Sequence, residues 1–123
     1  MSDARRRILL VDDEDEVREA LRVGLEQQGY EVLCARDGNE ALMRAERDAP
    51  DLIVLDIVMP RRTGFAVLDR LRTSPARSLP VVMITGNADP HYRRFADSLG
   101  VEAFVAKPFE IDTLIATIES LLS

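Results

Sequence analysis

The sequence holds a single cysteine, Cys34, so no internal disulfide can form. That fits a reducing, cytoplasmic setting. It holds one histidine, His91, so no Cys/His ligand set for zinc exists. No run of about 18 apolar residues occurs, and no membrane span is expected. The N-terminus opens on charged residues and lacks the apolar stretch of a signal peptide. Neither G-x-G-x-x-G nor G-x-x-x-x-G-K-[ST] follows an apolar run, which removes the common nucleotide-binding loops. Basic residues are outnumbered, 16 against 22 acidic, and the net charge of −6 argues against direct nucleic-acid binding. The one basic run, Arg5-Arg6-Arg7, precedes the first apolar run and is expected to be a solvated terminus. Internal repeats and low-complexity linkers are also missing.

What remains is a globular chain. Its 123 residues suit one domain, and 46% hydrophobic residues suffice for a real core. A single domain over residues 1–123 is expected, with an ordered core from about 7 to 122 and no effector domain in this chain.

One stretch organises the rest. Leu52-Ile53-Val54-Leu55 runs unbroken into Asp56, and Ile57-Val58-Met59-Pro60 follows. Such a run reads as a strand, Asp51 to Leu55, buried on both faces, with Asp56 at its exit. Similar runs are Ile8–Val11, Glu31–Ala35, Pro80–Ile84 and Ala103–Ala106. Between them lie helical stripes. The first carries Val17, Ala20, Leu21, Gly24 and Leu25 and stops at Gly29. Asp37 and Glu40 resemble a capping box ahead of Ala41, Leu42 and Ala45. Gly64, Val67, Leu68 and Leu71 form the third stripe. Asp89-Pro90 opens the fourth, with Tyr92, Phe95, Ala96 and Leu99 inward and Gly100 as its stop. Ile111, Leu114, Ile115, Ile118 and Leu122 make the last.

Strict alternation of strand and helix predicts right-handed crossovers and a parallel sheet covered on both faces. The expected fold class is α/β, a three-layer doubly wound (βα)5 domain. The flavodoxin-like strand order 2-1-3-4-5 is one of the two common solutions.

In such a sheet the residues just past the strands gather on one rim. Strand one delivers Asp12 and Asp13, strand three Asp56, strand four Thr85, strand five Lys107. Three carboxylates this close repel. At ~4 Å and an effective dielectric of ~20, each pair costs about 4 kcal/mol. Lys107 supplies one positive charge, and a hard divalent cation would supply more. Mg²⁺ suits an oxygen-only donor set and keeps waters that a phosphate oxygen can replace. The cluster reads as a phosphoryl-transfer site, with Asp56 as the nucleophile and Thr85 and Lys107 binding phosphoryl oxygens. Gly86 leaves the approach uncrowded.

The motifs Val11-Asp12-Asp13, Asp56-Ile57-Val58-Met59-Pro60 with Gly64 eight residues past the aspartate, Thr85-Gly86 and Lys107-Pro108-Phe109 closely resemble the receiver domain of two-component response regulators. The resemblance runs from about Arg7 to Leu122. It implies that Asp56 takes a phosphoryl group from a phosphohistidine on a sensor histidine kinase or a histidine phosphotransfer protein. It implies Mg²⁺ held by Asp13, Asp56 and the backbone carbonyl of Val58, with Asp12 acting through a water. It implies a cis Lys107–Pro108 peptide, and a switch in which Thr85 moves inward and an aromatic, here Phe104, rotates after it. Phe104 lacks the hydroxyl that a tyrosine would bring there. The face of the fourth helix, fifth strand and fifth helix, with Arg93, Arg94, Asp97 and Glu102, is implied for a downstream effector or a receiver dimer. His91 matches no donor position and reads as an exposed loop residue. Such a domain is a signalling phosphoacceptor, not an enzyme acting on other substrates. A Mg²⁺ phosphohydrolase would want a general acid two residues after Asp56, where Val58 cannot donate a proton. A binding-only receiver would not need the intact acidic set. Val58 and Asn87 flank the path of an attacking water, and neither is acidic.

Overall fold

Residues 5–57, 63–76, 78–86, 90–107 and 109–122 are described by the computed structural model, with Tyr92 as backbone only. Among them, strands and helices alternate strictly: β1 (Arg7–Val11), α1 (Asp15–Gln27), β2 (Glu31–Ala35), α2 (Gly38–Arg47), β3 (Leu52–Asp56), α3 (Gly64–Arg72), β4 (Val81–Thr85), α4 (Pro90–Ser98), β5 (Ala103–Ala106) and α5 (Ile111–Leu122). All strand pairs are parallel, in the order β2-β1-β3-β4-β5. The expected architecture and order are both present. β3 and β4 each end one residue later than the apolar runs suggest, so Asp56 and Thr85 are the last residues of their strands.

The uniformly apolar strands conceal a strict alternation. Leu9, Val11, Ile53, Leu55, Val81 and Met83 face one layer, where Ala41, Val67, Leu68, Leu71 and Ala96 close the core. Ile8, Leu10, Leu52, Val54, Val82 and Ile84 face the other, against Leu21, Leu25, Leu114, Ile115 and Ile118. Successive strand residues point to opposite faces, so a strand covered on both sides needs apolar residues at every position. Helices α2, α3 and α4 thus cover one face, and α1 and α5 the other. The edge strands β2 and β5 are only partly buried, whereas β3 and β4 are buried throughout.

Helix ends follow local chemistry. Gly29 has φ +96° and follows the C-cap of α1. Its N–H donates to the Glu26 carbonyl, and the Tyr30 N–H donates back to Leu25, which closes a Schellman motif. Gly100, at φ +75°, does the same for α4 through Asp97 and Ala96. Asp37 caps α2 by accepting from the Glu40 N–H at 2.9 Å, while the Glu40 carboxylate accepts from Arg36 rather than from Asp37 itself. Thr63 caps α3 through the Ala66 N–H, a cap not read from the sequence.

Five expectations need correction. Phe95 is 50% exposed instead of inward, and its ring meets Phe65 edge-to-face at 4.7 Å. Among the described side chains of that stripe only Ala96 is fully buried, because α4 rests on the sheet through a narrow contact. Ala20 is exposed, since Leu21 and Leu25 make the buried line of α1. His91 lies in the first turn of α4 and is exposed, so it is helical, not a loop residue. Arg7 is not simply solvated. Its side chain donates to Glu31 and to the Asp48 carbonyl, and its N–H to Asp51, tying β1 to β2 and to the start of β3. Glu102 does not offer its carboxylate to the outer face. It accepts from the Val81 N–H at 2.7 Å and lies 3.8 Å from Arg72. Val58, Met59, Pro60, Arg61, Arg62, Asn87, Asp89, Pro108 and the Tyr92 side chain lie outside the described residues.

Candidate functional site

Four strand ends meet at the carboxyl edge of the sheet. β1 leads into Asp12 and Asp13, β3 ends on Asp56, β4 on Thr85, and Lys107 follows β5. Asp12, Asp13 and Asp56 each offer a carboxylate oxygen within 4.8 Å of the others. Asp12 and Asp56 are almost sealed from solvent, while Asp13 is exposed. Two buried carboxylates facing a third on the solvent side form an oxygen-only donor set that fits a hard divalent cation.

Lys107 reaches into this cluster with its side chain only 17% exposed. Its Nζ lies 3.3 Å from Asp12 Oδ2, 3.4 Å from Asp56 Oδ2 and 2.8 Å from Glu14 Oε1. Burial works to lower the ammonium's pKa. The Glu14 hydrogen bond and the Asp56 and Asp12 charges outweigh it, and Lys107 is held well above the ordinary lysine range. It is therefore a fixed positive charge within the acidic group.

The backbone fixes these side chains. The Lys107 N–H donates to the Thr85 carbonyl at 2.6 Å, which joins the ends of β4 and β5. Asp56 pairs with Ile84, so Thr85 stands one residue further along the neighbouring strand. Asp12 Oδ1 accepts from the Glu14 N–H at 2.9 Å, which forms an Asx turn. The Asp12 carbonyl accepts from Arg18 Nη1 at 2.6 Å. One residue type is dictated by space. An added Cβ on Gly64 would lie 2.3 Å from the Asp56 carbonyl oxygen and 2.8 Å from Ile57 Cα, so α3 can begin there only on glycine. The Gly64 N–H also donates to the Ile57 carbonyl at 2.8 Å. Gly86 differs: an added Cβ would meet nothing within 4 Å, so the approach is open whatever residue stands there.

The expected residues Asp12, Asp13, Asp56 and Lys107 are thus brought together, with Thr85 bonded to the Lys107 backbone. Phe104 is not part of the pocket. It lies on β5, paired with Met83 of β4 and part-buried against the α2–α4 core, with the Arg93 guanidinium 5.4 Å from its ring centre. By strand alternation Thr85 points to the same face as Met83 and Phe104. Arg93 also pairs with Asp97 at 3.4 Å. The Val58 carbonyl, Asn87 and the Lys107–Pro108 bond lie outside the described residues. Sequence reasoning missed Glu14 and Arg18. The signal for Glu14 was a glutamate at the N-cap of α1, where Ser, Thr, Asp or Asn would be the better cap. Beside the pocket an open groove of about 480 Å³ runs between α1 and the start of α5, past Glu14, Val17, Leu21, Lys107, Phe109 and Ile111.

Fold and site define a doubly wound α/β domain with a pocket of three carboxylates and one lysine at its carboxyl edge. The family model of the response regulator receiver domain matches residues 8–119, and the chain belongs to that family, the receiver domains of two-component response regulators. It is 42% identical to the response regulator MprA of Mycobacterium leprae over 116 residues, 94% of this chain and 50% of that one. It is 36% identical to the alkaline phosphatase synthesis transcriptional regulatory protein PhoP of Bacillus subtilis over 117 residues, 95% and 48% of the two chains. The chain thus spans about half the length of the curated relatives it matches. Among solved structures, the chemotaxis protein CheY4 of Vibrio cholerae superposes with a TM-score of 0.89 at 32% identity, covering 95% of this chain and 98% of that one. A CheY-like receiver domain protein from Methanospirillum hungatei superposes with a TM-score of 0.91 at 28% identity, covering 97% and 94%. No helix among the described residues is long and apolar enough to cross a membrane.

Proposed function

We propose that Asp56 accepts a phosphoryl group from a phosphohistidine, borne by a sensor histidine kinase or a histidine phosphotransfer protein, and that this changes which partner the domain binds. The observation that carries the reading is the convergence of Asp12, Asp13, Asp56 and Lys107 within hydrogen-bonding and metal-ligand distance at the end of β3. In the transfer an Asp56 carboxylate oxygen attacks phosphorus. The P–N bond to the donor imidazole breaks, and that nitrogen keeps the electron pair and is protonated as it leaves. Lys107 swings one N–H from Asp56 to a phosphoryl oxygen, and the Thr85 hydroxyl donates to another. Asp13 and Asp56 would hold Mg²⁺ with the Val58 carbonyl, and Asp12 would act through a water. The ion would neutralise the equatorial oxygens and lessen the repulsion among the carboxylates. The domain's own chemistry is confined to gaining and losing this phosphoryl group.

The groove beside the pocket suits a donor. Exposed Ala20 adds to its apolar wall along α1, and the groove reaches Lys107. A donor helix lying there would bring its histidine to Asp56. The output is assigned to the face of α4, β5 and α5, as an effector site or a receiver dimer. Phosphorylation draws Thr85 inward, and Phe104 follows on the same sheet face. Arg93 stands over that ring, so rotation of Phe104 exchanges a cation–π contact for core packing.

The test is intact mass after incubation with acetyl phosphate, with and without Mg²⁺, beside Asp56→Asn. The expected result is a gain of one phosphoryl group that requires both Mg²⁺ and Asp56. A gain that persists in Asp56→Asn, or none in the folded wild type with Mg²⁺, would overturn the assignment.

A further inference from the structure

The turn that carries Asp12 and Asp13 is gripped from behind by one side chain. Arg18 stands near the start of α1, where an arginine would ordinarily reach into solvent, yet its side chain is only 14% exposed. The guanidinium uses its two arms separately. Nη1 donates to the Asp12 carbonyl at 2.6 Å, and Nη2 donates to the exposed Asp15 carboxylate. The Arg18 N–H donates to the Glu14 carbonyl at 3.0 Å. Backbone and side chain of one residue thus close the turn from Asp12 to Asp15.

The effect falls on Asp13. Asp12 and Asp56 are each bonded to Lys107 and are held by it. Asp13 is the exposed member of the three, and among the described residues its carboxylate has no hydrogen bond or ion pair. Its direction is therefore set by its backbone. The peptide before it carries the Asp12 carbonyl, and a planar peptide fixes that carbonyl and the Asp13 N–H together. Arg18 grips this plane. The peptide after it carries the Glu14 N–H, which donates to Asp12 Oδ1 at 2.9 Å. With both planes pinned, φ and ψ of Asp13 are fixed, and so is the direction of its Cβ.

We infer that Arg18 is a positioning residue for the cation site: it orients the Asp12–Asp13 peptide so that the Asp13 carboxylate meets those of Asp12 and Asp56. The inference rests on the reading of the pocket as a divalent-cation site. Its sign is opposite to that of charge alone. Arg18 is itself a cation beside the pocket, so deleting its charge would tighten cation binding. Deleting its grip weakens binding, because Asp13 no longer faces the other two carboxylates. Lysine at position 18 separates the two effects. It keeps the charge, but it is one bond shorter and puts a single nitrogen in place of the planar fork, so it cannot hold the Asp12 carbonyl and Asp15 together.

The experiment titrates Mg²⁺ into wild type, Arg18→Lys, Arg18→Met and Arg22→Lys at constant ionic strength, and reads the affinity from the amide shifts of Asp12 and Asp13. Arg22 lies one turn further along α1 and pairs with Glu19 and Glu26 on its own helix, so its variant is the control. Arg18→Lys is expected to bind Mg²⁺ on the order of fivefold more weakly than wild type. Arg18→Met should also bind more weakly, against the direction that its lost charge dictates. Arg22→Lys should match wild type. Urea midpoints of the same variants confirm folding, and a purely structural arginine would lower the midpoint and leave the affinity unmoved. Should Arg18→Met not fold, Arg18→Lys decides alone. Wild-type affinity in Arg18→Lys, tighter binding in Arg18→Met, or an equal loss in Arg22→Lys would each overturn the inference while the cation reading stands. No Mg²⁺ binding by the folded wild type would remove both.

Discussion

A methyl group at position 64 has no space to occupy, because the Asp56 carbonyl oxygen would be 2.3 Å away. Gly64→Ala must displace the backbone at Asp56, and we expect a cost of about 1–3 kcal/mol, together with loss of phosphoryl labelling. Urea denaturation read beside intact mass checks both; wild-type stability in this variant would mean that α3 can shift freely. Lys107 gives a second prediction at this scale. Its folded pKa is raised. The stability it contributes is therefore fully present below the unfolded lysine value of about 10.4, and it is lost as pH rises through the higher folded value. The stability gap between wild type and Lys107→Met should stay constant from pH 7 to about 10 and narrow only above that. A gap already closing near pH 8 would show that the ammonium is not held as described. Residue by residue, the pocket was legible because acidic and basic residues stand directly behind apolar runs. Glu14 was not: a glutamate at the N-cap of α1 is an unusual local choice, but it does not name a partner 93 residues away.

Among the elements, the connection from α2 to β3 carries a local strain. Ala49 has φ +48° in the position that Gly29 and Gly100 fill elsewhere. A side chain in the left-handed region costs about 1–2 kcal/mol, and glycine gives back part of that gain as unfolded-chain entropy. Ala49→Gly is expected to stabilise the fold by about 0.5–1 kcal/mol, measured as a higher urea midpoint at unchanged slope. A loss of stability would mean that the Ala49 conformation is not strained. The strands were readable because β3 and β4, covered on both faces, need apolar residues at every position. Helix orientation was less so. A 3.6-residue stripe says that a face exists but not how wide its contact is, which is why Phe95 and Ala20 fell outside the core. Glu102 and Arg7 were misread for a related reason. Each bonds to backbone of a distant strand or connection, and a charged residue beside a strand looks solvated until that neighbour is known.

For the whole molecule, the strand order was legible as one of two common solutions, and the order found sets β1, β3, β4 and β5 side by side. That adjacency is what turns scattered strand ends into one pocket. Its cross-links span the chain: Lys107 reaches Asp12 over 95 residues, Glu14 over 93 and Asp56 over 51. No segment of the unfolded chain can reproduce that arrangement, so an ion taken up there is taken up only by the folded state. Mass action then couples ion concentration to the fraction of folded chain. At a hundredfold excess over its dissociation constant, Mg²⁺ should add about 2.7 kcal/mol to the unfolding free energy. Urea titrations with and without Mg²⁺ measure this, and the increment should vanish in Asp13→Asn. The domain would then report divalent cation through its own resistance to unfolding, before any phosphoryl group arrives.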